Sequence, residues 1–341
     1  MARGGGSRGP PMITALPAAW AGSGEHPTAV SAAVGDKVQV TVPAGLAAVI
    51  TVPPATSLTT PISARILAQM LLLLSPAKTL DYTTPLPADL AHREPQQPRH
   101  AGRAAELIKL LRTRKAADIG ALMDLSPALA TLNVARYKAW RRRATPANSR
   151  PALLAFNGDV YEGLQAGSLR PEDIAWAEQH LLILSGLYGV LAPLDALQPY
   201  RLEMGTRLAN ELGPDLYSYW REQVSAEVRR RCRAGRRADG EVLPAPRCVL
   251  NLASVEYARV LDRSVLRVPV VDVVFEDWHD GRYKIISFNA KRARGLMARH
   301  VILNRVLDPA ELDNFTAEGW AHDGGESTPQ RLVFRRRLAD L

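Results

Sequence analysis

Four short apolar runs of this sequence each end at a serine, a pattern expected where strands open onto a binding site. The runs are Leu71–Leu74, Leu181–Leu184, Val249–Ala253 and Lys284–Ile286, and the serines are Ser75, Ser185, Ser254 and Ser287. In an open α/β sheet, ligands bind beyond the carboxyl ends of the strands, where small hydroxyl residues keep the backbone accessible. We therefore expect these serines and Asn251 to line one crevice. In the alternative interpretation, each serine only caps the element that follows it.

Two acidic segments offer groups for proton transfer. Asn157-Gly158-Asp159 places an amide and a carboxylate on one turn, and Glu203 follows a proline-containing loop. Asp159 or Glu203 is suited to act as a general base, and Asn157 is suited to position a base edge or a water molecule. The simpler alternatives are an Asx-turn at Asp159 and an ion pair between Glu203 and Arg201.

A cluster of basic residues lies at the start of the last predicted helix, which spans residues 291–307. Lys291 and Arg294 are three positions apart, whereas Arg292 and Arg299 are seven apart and share a face. Cations at a helix start oppose the helix dipole, so stability alone does not explain them. Together with Lys78, they indicate an anionic partner, either DNA or a phosphate-bearing ligand. The alternative is a solvated surface.

The usual sequence motifs of metal sites and of nucleotide-binding loops do not occur in this chain. The seven histidines are scattered, the two cysteines are too few for a zinc site or a disulfide framework, and no Walker or Gly-x-Gly-x-x-Gly loop occurs. The Leu71–Leu74 run is far shorter than the ~20 residues of a membrane span. We therefore expect no metal, no cofactor and no membrane contact.

The elements that position these residues follow an α/β pattern. Helical spacing and capping signals predict helices over 103–114, 127–140, from Pro171, over 215–231 and over 291–307. Asp280-Gly281 between two apolar segments predicts a β-hairpin. Alternating strands and helices followed by a hairpin predict an α/β (α+β) fold, a single domain with a mixed sheet surrounded by helices.

Charge and composition divide the 341 residues at Met70. Residues 1–69 hold 8 of the 25 prolines and 8 of the 24 glycines, with four basic and two acidic residues. The net charge of +9 therefore leaves +7 for residues 70–341, a balance that suits an anionic partner. We expect 1–69 to be a disordered extension. The alternative is that Met70 is the true first residue and 1–69 is translated upstream sequence.

Six segments resemble the YaaA peroxide-stress family. They are Ser75–Tyr82, Phe156–Tyr161, Leu184–Leu191, Gln198–Gly205, Asn251–Ser254 and Ile286–Met297. The resemblance runs in order from about Met70 to Arg337 and leaves out residues 1–69. Family members begin at the position of Met70, which favours the interpretation that translation starts there.

The resemblance implies a cytosolic protein that limits unincorporated iron and protects DNA during peroxide stress, binding double-stranded DNA through a basic cleft. It also implies a helix-hairpin-helix-like element. We expect this element at Ser185–Leu191, where Gly186 and Gly189 would offer backbone amides to a phosphate. Asn157 stands where relatives often have lysine, so one cationic contact is missing here. No catalytic residue is carried over from the family.

Three functions follow from the sequence and the resemblance. The basic cluster and the resemblance favour a monomeric DNA-binding stress protein without catalysis. The alternative is an enzyme acting on a nucleobase, nucleoside or nucleotide in the strand-end crevice, with Asp159, Asn157 or Glu203 as its catalytic residues. The scattered histidines and the two cysteines argue against a third function, direct iron binding.

Overall fold

The computed structural model of the chain describes residues 70–233 and 246–337, together with the backbone of two short strands between these ranges. These strands are Gly235–Arg236 (β8) and Val242–Leu243 (β9), which pair antiparallel. The expectations for residues 1–69 lie outside the described residues.

A mixed eight-stranded sheet forms the centre of the described structure. Strand β1 (Met70–Leu74) lies between two parallel neighbours, β5 (Leu181–Ser185) and β10 (Cys248–Asn251). Strands β11 (Val270–His279) and β14 (Arg331–Arg336) continue the parallel order beyond β10. Every residue of β1 is fully buried, as expected for a parallel strand with both faces covered.

Short strands complete the sheet and its surroundings. Strands β6 (Gly189–Leu191), β12 (Arg282–Lys284) and β13 (Ala321–His322) pair antiparallel with β5, β11 and β14. Two separate antiparallel pairs join β2 (Thr79–Leu80) to β4 (Phe156–Asn157), and β3 (Arg150–Pro151) to β7 (Ala196–Leu197). Parallel and antiparallel pairing thus coexist, and the predicted α/β fold with a mixed sheet is confirmed.

Helices connect and surround the strands. In chain order they are α1 (Ala88–Ala91), α2 (Ala101–Arg112), α3 (Ala116–Met123), α4 (Pro127–Ala139), α5 (Ala152–Ala155), α6 (Asp159–Leu164), α7 (Pro171–His180), α8 (Leu216–Arg231), α9 (Val255–Ala258), α10 (Arg263–Leu266) and α11 (Ser287–Asn304). Turns of 3₁₀ helix span Ala166–Ser168, Pro309–Asn314 and Ala317–Gly319. No helix in the described part of the chain is both long and apolar enough to cross a membrane.

The predicted hairpin forms where Asp280-Gly281 indicated it, with left-handed φ angles of 53° and 77° at these residues. The apolar run Lys284–Ile286, however, is not a strand that opens onto the crevice. Strand β12 ends at Lys284, and α11 begins at Ser287, four residues earlier than predicted. Ser287 therefore reaches its position from the start of a helix.

The predicted position of the helix-hairpin-helix-like element is wrong. Residues Leu181–Ser185 and Gly189–Leu191 form a buried β-hairpin, because their apolar side chains fill the core beside β1. A Cβ on Gly186 would lie 2.1 Å from the Leu202 carbonyl oxygen, and one on Gly189 would lie 2.5 Å from the Trp220 ring. These glycines permit close packing inside the protein, where no phosphate can approach their amides.

Two helices joined by a three-residue turn occur elsewhere, at α3 and α4. Asp124 ends α3 in the left-handed conformation, with φ 51° and ψ 57°. The Leu125 amide donates to the Gly120 carbonyl at 3.0 Å, and the Ser126 hydroxyl accepts from the Leu129 amide at 3.4 Å. Since Asp rather than Gly occupies the left-handed position, the usual glycine signal of such a turn is absent from the sequence.

Candidate functional site

A cavity of about 520 Å³ opens at the carboxyl ends of β1 and β10. It is lined by Ser75–Thr79, Asn157–Val160, Glu203, Ser254–Tyr257, Ser287, Lys291 and Arg294. Strands β1 and β10 are neighbours in the sheet. After β1 the chain next enters the main sheet at β5, on one side of this pair, and after β10 it enters at β11, on the other side. A crevice between two such strands is the usual ligand position in an open α/β sheet, and this volume lies within the range of small-molecule sites.

Ser75 and Ser254 join the two strand ends at the floor of the cavity. The Ser254 amide donates to the Ser75 hydroxyl at 2.8 Å, and the two hydroxyl oxygens are 3.3 Å apart. The Ser254 hydroxyl also caps α9 by accepting from the Tyr257 amide. Both interpretations therefore apply to Ser254, which caps an element and lines the cavity, whereas Ser75 lines the cavity and contacts Ser254.

The pairing of β2 with β4 positions the Asn157-Gly158-Asp159 segment. Thr79 and Asn157 are partners in this short ladder, so Asn157 lies beside the loop that carries Lys78. Gly158 has a φ of 148° that turns the chain into α6, which begins at Asp159.

Close packing of α6 against α11 brings Asp159 to the basic cluster. A Cβ on Gly295 would lie 1.8 Å from the Val160 carbonyl oxygen, and one on Gly163 would lie 2.3 Å from the Arg292 carbonyl oxygen. Because both positions are glycine, the two helix backbones touch. Lys291 Nζ consequently lies 3.8 Å from a carboxylate oxygen of Asp159.

Opposite charges inside the cavity are largely matched. Lys78 lies 3.1 Å from Glu203, which also accepts from Arg201 at 3.0 Å, while Lys291 faces Asp159. Glu256, at the exposed rim, accepts from the Gly205 amide at 3.0 Å. The predicted ion pair between Glu203 and Arg201 is present, and Lys78 adds a second cation to it. Glu256 is not among the predicted site residues, and its only signal in the sequence is its place two residues after Ser254.

Arg294 is the exception to this matching. Its guanidinium has no hydrogen-bond or ion-pair partner among residues 70–233 and 246–337, and its Nε is buried without a partner. Burial lowers the pKa of this guanidinium below its usual value.

Several predicted binding residues have structural contacts away from the cavity. The Ser185 hydroxyl is buried against Tyr200 and accepts from the Tyr188 amide, and Asn251 donates to Asp272 at 2.7 Å. Arg292 binds Glu318, and Arg299 donates to the carbonyls of residues 164 and 165 and to Ser168. The helical cluster thus divides, with Lys291 and Arg294 facing the cavity and the other two arginines supporting neighbouring elements.

Positive charge concentrates instead around α2, α3 and α4. Residues 99–143 contain eleven basic and three acidic residues, a net charge of +8, which exceeds the +7 of the whole stretch 70–341. Six of these cations are exposed and form neither an ion pair nor a side-chain hydrogen bond in the described part of the chain. They are Lys109, Arg114, Lys115, Lys138, Arg142 and Arg143. We call these six residues the helical basic surface.

Metal-binding groups are not assembled in the described ranges. No group of three or more histidine, cysteine, aspartate or glutamate side chains lies in a position to hold a metal ion there. Cys232 and Cys248 are both free and buried.

Comparisons with known proteins place the chain in a family. The model of the family described as peroxide stress protein YaaA matches residues 70–325. The UPF0246 protein of Leptothrix cholodnii is 56% identical over 271 residues, covering 80% of this chain and 100% of the relative. The UPF0246 protein of Delftia acidovorans is 55% identical over 274 residues, again covering 80% and 100%, and that of Bordetella petrii is 53% identical over 268 residues, covering 79% and 100%. The resemblance found in the sequence is confirmed, and the chain belongs to the YaaA family of peroxide stress proteins.

Proposed function

We propose that this protein acts in the cytosol during peroxide stress by binding double-stranded DNA through the helical basic surface. The observation that carries this proposal is the net charge of +8 in residues 99–143, which leaves the rest of the described domain close to neutral. Phosphate neutralisation by lysine and arginine supplies most of the affinity of a protein that binds DNA without reading its bases.

The α3–α4 pair supports this proposal through its shape. Its turn, residues 124–126, is exposed at Asp124 and Ser126, and α4 begins with Pro127 directly behind it. The Leu125 and Leu129 amides are already bonded within the turn and Pro127 has none, so the Ser126 and Ala128 amides are the ones suited to contact a phosphate. This pair takes the role that the sequence analysis assigned to Ser185–Leu191.

The proposal is tested by fluorescence anisotropy with a labelled duplex. We expect the double variant Arg114→Ala/Lys138→Ala to lose affinity by about tenfold, because each phosphate contact contributes to the counterion-release term. The matched control, Arg207→Ala/Arg282→Ala, removes the same charge from exposed residues on other elements and should bind almost as the wild type does. Equal losses in both double variants would contradict the proposal.

Limitation of unincorporated iron is the cellular outcome in this proposal, without iron storage by the chain. The scattered histidines and the two buried cysteines are the observations behind this part of the proposal. We expect whole-cell electron paramagnetic resonance to show more free iron in a deletion strain, restored by the wild type and less by Arg114→Ala/Lys138→Ala. Tight, stoichiometric uptake of Fe²⁺ by the purified protein would contradict this part.

A second candidate function is catalysis on a nucleobase, nucleoside or nucleotide in the cavity. It is favoured by the convergence of Ser75, Asn157, Asp159 and Glu203 on one space. Asp159 is the side chain best placed as a general base, because it borders the cavity and faces Lys291. Incubation with nucleotides should give a product that Asp159→Asn does not give, and absence of any product would exclude this function.

A further inference from the structure

Arg294 is anomalous among the arginines of α11 and its surroundings. Arg292, Arg299, Arg305 and Arg336 all donate hydrogen bonds to acceptors on neighbouring elements. Arg294 donates none within residues 70–233 and 246–337, although its Nε is excluded from solvent. Arg294 is half-buried, and burying its Nε without a partner is destabilising because the lost hydration is not replaced.

No carboxylate among the described residues lies within ion-pairing distance of Arg294. Asp159 faces Lys291, Glu203 binds both Lys78 and Arg201, and Glu256 is held at the rim by the Gly205 amide. Of the three cations that line the cavity, Lys78 and Lys291 each form an ion pair, and Arg294 forms none with the described residues.

The N-terminus of α11 adds donors on the same side of the cavity. This 18-residue helix has no side chain capping its first amides and no acidic residue in its first turn. Ser287, its first residue, lines the cavity together with Lys291 and Arg294. Unsatisfied amides at a helix start, an adjacent hydroxyl and a guanidinium are a donor set that suits a tetrahedral oxyanion.

Three exposed apolar residues lie near these donors, and we call them the apolar rim: Val255 lines the cavity, and the other two lie close to Ser287 along the chain. Ile285 and Phe288, the residues on either side of the Ile286-Ser287 pair, are each 57% exposed, and Val255 is 85% exposed. Exposed apolar side chains next to a polar cavity fit a ligand with an organic part as well as a charged end.

We propose that the cavity binds a small phosphate monoester, with the phosphate between Arg294 and the N-terminus of α11 and the organic group toward Asn157, Asp159 and the apolar rim. The proposal rests on the second candidate function, whose substrate class it narrows. It is independent of DNA binding by the helical basic surface. The bound phosphate offsets the cost of burying Arg294, so the site is less stable when empty.

The test uses the full chain, inorganic phosphate and a nucleoside 5′-monophosphate as probes, with thermal unfolding and calorimetry as readouts. Both probes should raise the melting temperature of the wild type. Arg294→Met should melt higher than the wild type without ligand, since the unpaired charge is gone. It should bind both probes more weakly by on the order of tenfold to a hundredfold.

Two further variants separate the effect of losing the Arg294 charge from the effect of losing its planar donor set or of changing an arginine outside the cavity. Arg294→Lys retains the charge but not the planar donor set, and should bind the probes with intermediate affinity. Arg299→Met, whose wild-type contacts lie outside the cavity, should lower the melting temperature and leave probe binding unchanged.

Two results would overturn the inference. One is an unliganded Arg294→Met protein that melts below the wild type, because Arg294 would then stabilise the fold. The other is probe binding that Arg294→Met leaves unchanged. If the probes bind in an Arg294-dependent way and no product forms, the inference is supported and the proposed catalysis is not. If product forms but binding does not depend on Arg294, catalysis is supported and the inference is not.

Discussion

Burial is the main cause of the raised pKa values of Asp195, Cys232 and Cys248. Asp195 is buried in the loop before β7, where its carboxylate accepts from the Ala192 amide at 2.8 Å and from Gln96 at 3.0 Å. Burial raises the pKa of Asp195 to about 7, against the hydrogen bonds from Ala192 and Gln96, and nearby Glu178 raises it further. The folded protein therefore holds a proton on Asp195 that the unfolded chain releases near pH 4.

This raised pKa predicts a pH-dependent stability. The contribution of Asp195 is fully present below its unfolded pKa and is lost as the pH rises toward 7, because the folded state binds more protons in that interval. Urea unfolding at pH 5 and pH 8 should show a loss on the order of 2 kcal/mol that is absent in Asp195→Asn. If Asp195→Asn loses the same stability between pH 5 and pH 8, the loss in the wild type comes from other titratable groups.

The two cysteines predict a second residue-scale property. Burial raises the pKa of Cys232 to about 12 and that of Cys248 to about 11. Since the thiolate is the reactive form, neither should react with hydrogen peroxide or iodoacetamide at pH 7.5 in the native protein. Mass spectrometry should find both thiols unmodified after native treatment and alkylated after unfolding. Rapid native oxidation would instead make this chain a thiol-based peroxide sensor.

At the scale of elements, the contact between α6 and α11 controls the geometry of the cavity. Gly163 and Gly295 let the two backbones touch, and this contact sets the positions of Asp159, Lys291 and Arg294. Neither glycine stands out in the sequence, because the role of each depends on a contact with a helix about 130 positions away in the chain.

Gly295→Ala should therefore destabilise the protein. A Cβ at this position meets the Val160 carbonyl at 1.8 Å, so α11 must shift, at a cost of about 1–3 kcal/mol. Gly167→Ala is the matched control, since nothing lies within 4 Å of its added Cβ. Equilibrium urea unfolding compares the two, and equal stabilities would show that the α6–α11 contact is loose.

The α3–α4 turn gives a further element-scale prediction. Asp124 places a carboxylate, in a left-handed conformation, at the turn that we propose to lie near DNA phosphates. Both Asp124→Asn and Asp124→Gly should bind duplex DNA more tightly at low salt, because each removes a like charge. Asp124→Gly should also be more stable by about 0.5–1 kcal/mol, since glycine adopts this conformation without strain. Unchanged DNA affinity in both variants would place the turn away from the DNA.

Local sequence signals predict helices, strands and turns better than they predict contacts between side chains. The capping pattern Ser126-Pro127, the Asp280-Gly281 turn and the buried leucine run all appear where the sequence indicated them. Ser185 and Asn251 have the same strand-end sequence pattern as Ser75 and Ser254. In the structure, however, Ser185 is hydrogen-bonded to Tyr200 and Asn251 to Asp272, so neither lines the cavity. Such differences depend on residues far apart in the chain, which periodicity does not reveal.

For the whole molecule, the distribution of charge matters more than its total. The compact run at 291–299 is the predicted basic cluster, yet two of its four basic side chains are engaged in structural contacts. The charge excess extends over 45 residues of three helices and the following segment, so no short run displays it. Our two proposals therefore concern different residues, those that line the cavity for a small ligand and the helical basic surface for a duplex.

The salt dependence of duplex binding tests the central claim most directly. If the helical basic surface binds DNA phosphates, the logarithm of affinity should fall linearly with the logarithm of salt concentration. The slope of Arg114→Ala/Lys138→Ala should then be smaller in magnitude by about 2, while that of Arg207→Ala/Arg282→Ala stays close to the wild-type slope. A wild-type affinity that does not change with salt, or a slope that the first double variant leaves unchanged, would contradict the account.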